Sequence, residues 1–233
     1  MNIKLVVFDM AGTTVEDDRY VHKALIEALK DHKINVTEEE ANDVMGIPKP
    51  VAILQILQKK YEGDDSVYEV LINKIHENFV KRMVEFYENS KKVRAKKGVE
   101  STFKALRKNN IKIAIDTGFS REIANAIIGR LGWVRNNLID LSITSDEVAN
   151  GRPHPDMIFK AMEMTGINNP EQVAKVGDTA SDVQQGKKAG CKFVIGVTSG
   201  AYKKEALETE GPTHLVSELP EILKIFQLEE AFN

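Results

Sequence analysis

Apolar residues follow two different rhythms along this chain. Short, nearly continuous apolar runs occupy residues 4–8, 111–115, 141–144, 173–176 and 193–197, and each ends in polar or small residues. Runs of this kind predict strands covered on both faces, as in a parallel sheet. Between them the spacing changes to three or four. Positions 98–109 set Val99, Phe103 and Leu106 on one stripe, 120–131 open on Ser120 as an N-cap, and 155–164 follow a proline-rich turn. Strands alternating with helices predict an α/β fold built on a Rossmann-like, doubly wound parallel sheet.

Residues 15–97 break the alternation. No strand pattern occurs there. Thr37 and Glu40 form a capping box, Pro48 and Pro50 interrupt the helix that follows, and 68–87 reads as one long helix. The expected organisation is a Rossmann-like core over 1–14 and 98–233 with an inserted, all-helical cap domain over 15–97. The basic stretch KKVRAKK (91–97) reads as a solvated linker back to the core.

Composition narrows the class only a little. With 233 residues, 42% hydrophobic and 29% charged, the chain resembles an ordinary soluble protein. A net charge of −3 gives no electrostatic case for nucleic acid or an anionic membrane. No apolar stretch approaches the roughly 18–20 residues of a membrane span. The opening MNIKLVVFD is too short and too soon acidic for a signal peptide. The single Cys191 excludes an internal disulfide and any multi-cysteine metal site. A cytoplasmic monomer or homodimer acting on a small molecule is expected, with no nucleic-acid or membrane partner.

Ligands of open parallel sheets bind beyond the carboxyl ends of the strands. Strand one delivers Asp9 there, and the second delivers Asp116-Thr117-Gly118. The third leads through Ser145-Asp146 to Gly151-Arg152-Pro153-His154-Pro155, and the fourth delivers Gly177-Asp178-Thr179 with Asp182 beyond. These parts suit phosphoryl chemistry. Asp9 and Asp178 offer hard oxygens for Mg²⁺; Thr117 and the Gly118 amide can donate to phosphate oxygens; Arg152 supplies fixed positive charge. A carboxylate can also attack phosphorus and form an aspartyl phosphate.

The set DMAGTT, DTG, GRPHPD and GDTASD resembles the haloacid-dehalogenase-like hydrolases, and the helical insert resembles their cap domain. The resemblance implies that Asp9 is the nucleophile, that Asp178 and the Ala11 carbonyl join it on Mg²⁺, and that Asp182 orients the metal's water shell. It gives Thr117 the transferring phosphoryl group and sets Arg152 where the family more often has lysine.

Ala11 departs from the family's phosphatases, which carry a second Asp two residues after the nucleophile. General acid–base help of that kind is worth about 10²–10⁴-fold. The phosphonoacetaldehyde hydrolase branch has Ala at this place. There a cap lysine forms an imine with the substrate aldehyde, so electrons from the breaking C–P bond have a sink. Met45-Gly46-Ile47-Pro48-Lys49 resembles the Met-Gly-x-x-Lys segment of that branch, which makes Lys49 the imine candidate and Met45 and Gly46 substrate neighbours. Ala52, however, stands where the branch has a relay histidine, and prolines flank Lys49. On that ground both readings of Lys49 stay open, the imine-forming catalytic lysine and an ordinary solvated one, with a slight preference for the second.

The leading expectation is a Mg²⁺-dependent hydrolase of a small phosphate or phosphonate. A phosphoglycolate-type phosphatase, a non-catalytic phosphate-binding protein and a haloacid dehalogenase compete with it, the last weakly, since dehalogenation needs no Mg²⁺ acid such as Asp178. Other polar residues have plainer expectations: Asp116 structural, His154 at the surface, Asp17, Asp18 and Arg19 solvated. Thr13 and Thr14 brace the turn after Asp9, Trp133 and Tyr202 pack, and Cys191 is a small buried hydrophobe.

Overall fold

Strand formation follows the apolar runs. In the computed structural model, which describes residues 2–61 and 65–228, the strands are β1 (Leu5–Phe8), β2 (Lys112–Thr117), β3 (Leu141–Thr144), β4 (Val173–Gly177), β5 (Phe193–Val197) and β6 (His214–Val216). Residues 1, 62–64 and 229–233, assigned above to core and cap, lie outside the described residues. All pairings are parallel, in the order β3-β2-β1-β4-β5-β6. The edge strand β6 was not anticipated, because its three residues form no apolar run.

The helices are α1 (Tyr20–Lys30), α2 (Glu38–Asn42), α3 (Lys49–Lys60), α4 (Asp65–Asn89), α5 (Val99–Lys108), α6 (Arg121–Leu131), α7 (Asp156–Thr165), α8 (Ala180–Ala189), α9 (Lys204–Thr209) and α10 (Glu221–Ile225). Side chains alternate across β1. Val6 and Phe8 join one apolar layer with α5 and α6, while Leu5 and Val7 join another with α7. Phe8 is fully buried against Phe103, whose ring takes Trp133 edge-on at 5.5 Å. Burying each such ring contributes about 1.5–3 kcal/mol. The sheet is thus covered on both faces, as the density of its apolar runs requires.

Among the described residues between β1 and α5 the named elements are all helices. The long α4 packs against α1 and α3 and also lies on α6 of the sheet layer. It does so through Tyr68, Ile75, Phe79, Met83 and Tyr87, a stripe at steps of about a helical turn or two. Pro48 and Pro50 open α3 rather than interrupting a helix: Pro48 is its N-cap and Pro50 sits in the first turn, where a missing N–H breaks no hydrogen bond. The two strands of chain that join this insert to the core pair with each other. Glu16 N–H donates to Arg94 O and Lys96 N–H to Thr14 O, both at 3.0 Å, flanking a bridge between Val15 and Ala95.

The basic stretch is therefore not all solvated linker. Lys96 Nζ donates to Gly12 O at 2.8 Å and to Ser199 O at 3.0 Å. Cys191 is half-buried rather than fully buried, and its surroundings push its thiol up to about 12, mainly by desolvation. Among the described residues no helix is long and apolar enough to cross a membrane.

Candidate active site

The carboxyl ends of β1 and β4 bring Asp9 and Asp178 side by side, because the strands are neighbours and Asp9 N–H extends their ladder to Val176 O at 2.9 Å. Asp182 follows in the first turn of α8. Oxygens of these three buried carboxylates lie within 4.8 Å of one another. The Asp178 carboxylate is held from behind. Thr13 Oγ1 donates to Asp178 Oδ1 at 2.8 Å, and the Ala201 N–H donates to Asp178 Oδ2 at 2.6 Å. Thr14 braces the turn by donating to Asp9 O. Gly12, at φ +88, is needed here: a Cβ would come within 2.3 Å of Asp178 Oδ2.

Positive charge is matched to part of this cluster. Arg152, itself buried, donates through one nitrogen to Asp9 Oδ1 at 2.7 Å and through another to Asp182 Oδ1. Lys175 rises from the middle of β4 and bonds Asp116 Oδ1 and, at 3.0 Å, Asp182 Oδ1. Burial alone would raise the Asp182 carboxyl, but Arg152 and Lys175 outweigh it and hold it below the usual range. Asp9 and Asp178 are not so balanced. Burial raises Asp9 well above its ordinary value despite Arg152, and burial together with Asp182 pushes Asp178 up to about 6. Buried carboxylates left in excess of cations, with hard oxygens converging, fit a divalent metal ion.

The insert supplies the other wall. Its turn Met45–Pro48 descends on the strand ends: Gly46, at φ +81, leaves no room for a Cβ, which would meet Thr179 Oγ1 at 2.4 Å. The backbone of Ile47 lies against Gly118. Thr117 is buried at the end of β2 and accepts from the Phe119 N–H at 3.2 Å. Together with Asp9, Ala11 and Arg152, these residues line a cavity of about 40 Å³ that Lys49 also lines. That is space for a few waters, at about 10–15 Å³ each.

Lys49 is not solvated. It is 3% exposed, its Nζ has a long 3.4 Å contact to Ile47 O, and it stands 5.9 Å from the Phe79 ring centroid. The prolines on either side mark a helix start, so the side chain leaves the first turn of α3 toward the core. Burial, and then Arg152, lowers its amine to about 8. Asp17 is not free in solvent either: its Oδ1 accepts the Tyr20 and Val21 N–H groups at 2.8 and 3.2 Å, and it lines the same cavity.

Every expected site residue from the strand ends thus converges with Met45, Gly46 and Lys49, with Asp182 set behind Arg152. Asp116 is buried under Lys175, and His154 is exposed. Ser120 sits at the N-cap of α6 without a side-chain cap bond, and Asp146 accepts the Arg121 N–H. Sequence reasoning missed Lys175, a charge inside a five-residue buried strand, and His22, a buried histidine on α1 that lines the cavity.

The model of the haloacid dehalogenase-like hydrolases matches residues 6–196. A phosphonoacetaldehyde hydrolase of Bacillus cereus (strain AH187) is 30% identical over 239 aligned positions, covering 97% of this chain and 89% of that protein. A bifunctional phosphonoacetaldehyde hydrolase/aminoethylphosphonate transaminase of Clostridioides difficile (strain 630) is 32% identical, over 97% of this chain and 37% of its own length. Among solved structures, a phosphonoacetaldehyde hydrolase-like protein from Oleispira antarctica superposes with a TM-score of 0.83 at 19% identity, covering 97% of this chain and 92% of that one.

Proposed function

The chain belongs to the haloacid dehalogenase-like hydrolases, in their phosphonatase-like branch, and we propose that it cleaves the C–P bond of a small phosphonate bearing an aldehyde, such as phosphonoacetaldehyde. The observation that carries this reading is the burial of Lys49 in one cavity with Asp9, its amine lowered to about 8. A lysine that is partly neutral near pH 7 can add to a carbonyl, and a phosphatase has no use for one. Ala11 agrees with it, since no alkoxide leaves when a carbon leaves.

In this scheme the Lys49 amine condenses with the aldehyde to a protonated imine. A carboxylate oxygen of Asp9 attacks phosphorus; the C–P bond breaks, and its electron pair moves into the imine to give an enamine. Thr117, the Gly118 amide and Arg152 hold the phosphoryl oxygens. Protonation and hydrolysis release the aldehyde product from Lys49, and water then releases phosphate from Asp9. Asp9, Asp178 and the Ala11 carbonyl would hold Mg²⁺, with Asp182 setting its surroundings. When bound, the ion neutralises charge on the phosphoryl oxygens and the attacking carboxylate. The turn at 45–48 lies over the strand ends beside this cavity, so its withdrawal would widen the way in for substrate. The segment 15–97 accordingly works as a cap that closes over the core.

Borohydride added with phosphonoacetaldehyde should trap a covalent adduct on Lys49, read by peptide mass spectrometry, and Lys49→Arg should give neither adduct nor phosphate release from the phosphonate. Absence of the adduct in the wild-type protein, together with rapid hydrolysis of phosphate esters, would replace this reading with a phosphomonoesterase.

A further inference from the structure

The cavity asks for a proton carrier that neither strand end nor α3 provides. Imine formation takes two protons from the Lys49 nitrogen and puts both on the departing oxygen: one must leave the ammonium before the nitrogen can attack, and the other leaves the nitrogen after it has. Ala11 and Ala52 place methyl groups where an acid or base could stand, and Ala52 is fully buried. Arg152 stays protonated, Asp9 is engaged with phosphorus, and Asp17 Oδ1 is occupied by two backbone N–H groups. His22 remains.

His22 sits in the first turn of α1, 3% exposed, and lines the cavity shared by Lys49 and Asp9. Its Nε2 lies 3.1 Å from Asn42 Oδ1. An amide oxygen only accepts, so Nε2 carries the hydrogen and Nδ1 of the neutral ring carries a lone pair. Nδ1 is buried and has no hydrogen-bond partner among the described residues. A buried acceptor left without a donor costs about 1–3 kcal/mol, and such a group in a ligand cavity suits a donor that arrives with the ligand.

We infer that His22 Nδ1 carries the proton during imine exchange at Lys49, a role that rests on the C–P cleavage reading above. His22 takes a proton from the Lys49 ammonium; the amine then forms the N–C bond to the aldehyde carbon. A second nitrogen proton passes to the oxygen to give the carbinolamine; the His22 imidazolium then returns its proton to that oxygen, the C–O bond breaks, and water leaves. The sum is aldehyde plus lysine ammonium giving protonated imine plus water, with His22 restored. Release of product from the imine uses the same groups in reverse.

The ring's surroundings keep it ready for this. Desolvation lowers its basicity, the Asn42 hydrogen bond and Asp17 oppose that, and Arg19 and Lys49 act with the desolvation. Of these groups Arg19 is exposed and paired to Glu38, so Asp17 and Lys49 are the near charges the ring answers to. At neutral pH the unprotonated ring is the form present, which is the form that must accept first.

The test is the rate of borohydride-trappable adduct formation with phosphonoacetaldehyde, followed from pH 5 to 9 in wild type, His22→Gln and Asn42→Asp. His22→Gln should form the adduct at least about 10²-fold more slowly, the usual scale of lost proton-transfer help. It should keep only the acidic limb that Lys49 itself sets, and regain rate with added imidazole. Asn42→Asp keeps the ring but sets a carboxylate on Nε2, so its acidic limb should move to higher pH. This second variant decides the matter should His22→Gln fold poorly. A His22→Gln protein that traps as fast as wild type, or an Asn42→Asp profile that does not move, overturns the role of His22. Wild-type protein that traps nothing overturns the underlying reading instead.

Discussion

The two walls of the cavity are built on opposite electrostatic plans. On the core wall charge is met by charge: Arg152 joins Asp9 to Asp182, and Lys175 joins Asp182 to Asp116, all buried. On the insert wall the buried polar groups are nearly alone. Among the described residues Lys49 has one long contact to a carbonyl, and His22 Nδ1 has none. A paired buried ion keeps its charge, whereas an isolated one gives it up. The core wall is therefore fixed for holding a charged phosphoryl group, and the insert wall is set to exchange protons at carbon and nitrogen.

Removing the charge that the core wall exists to present should have the largest effect. Asp9→Asn should lower turnover of phosphonates and of activated aryl phosphates alike by on the order of 10⁴-fold or more, as for other covalent nucleophiles. Excess chelator should reproduce the loss in the wild-type protein. Steady-state phosphate release measures both, and near-normal rates in either case would remove Asp9 from the chemistry.

Next comes the pairing itself. Lys175→Met leaves Asp116 without a partner in a fully buried position and should cost about 3–5 kcal/mol of stability. Urea midpoints give the value, and Lys175→Met with Asp116→Leu should recover most of it. Equal stability of the single variant and wild type would show that the core wall is not bound by charge.

The smallest effect has the opposite sign. Lys49→Met removes a buried, poorly partnered amine and should stabilise the fold while abolishing adduct formation. With its amine shifted from 10.5 to about 8, and about 1.4 kcal/mol per unit, the gain is at most about 3 kcal/mol near pH 7. The unfolded chain holds the proton up to about 10.5 and the folded one only to about 8. Wild-type stability should therefore rise relative to Lys49→Met as pH climbs through that window. Melting temperatures at pH 7 and 10 check this; a variant less stable than wild type at pH 7 would contradict the isolation of Lys49.

What could be foreseen from the chain divides along the same line. Asp9, Thr117, Arg152 and Asp178 are legible because each stands at the end of an apolar run, where local sequence fixes its position. Lys175 and Asp116 meet across 59 positions, and a lone lysine in an apolar run looks the same with or without a partner. His22 shares its helix face with Leu25 and Leu29, so its pattern is that of any core position. Lys49 misled for a different reason: prolines on both sides suggest an exposed turn, yet the same pair also opens a helix, and only the docking of that helix decides which side the lysine takes.

The pairing of Val15 with Ala95 has a consequence for how such proteins diversify. The chain leaves the core and returns to it at one place, so the segment between is a removable clause in the sentence of the core. A short turn joining residue 15 to residue 95 would close almost no loop, and what it would uncover is the α6 surface that α4 now covers. Inheritance can then exchange the whole helical piece as a cassette. Each exchange would present a different set of side chains to the same aspartate, and new substrates would be acquired without inventing phosphoryl transfer again.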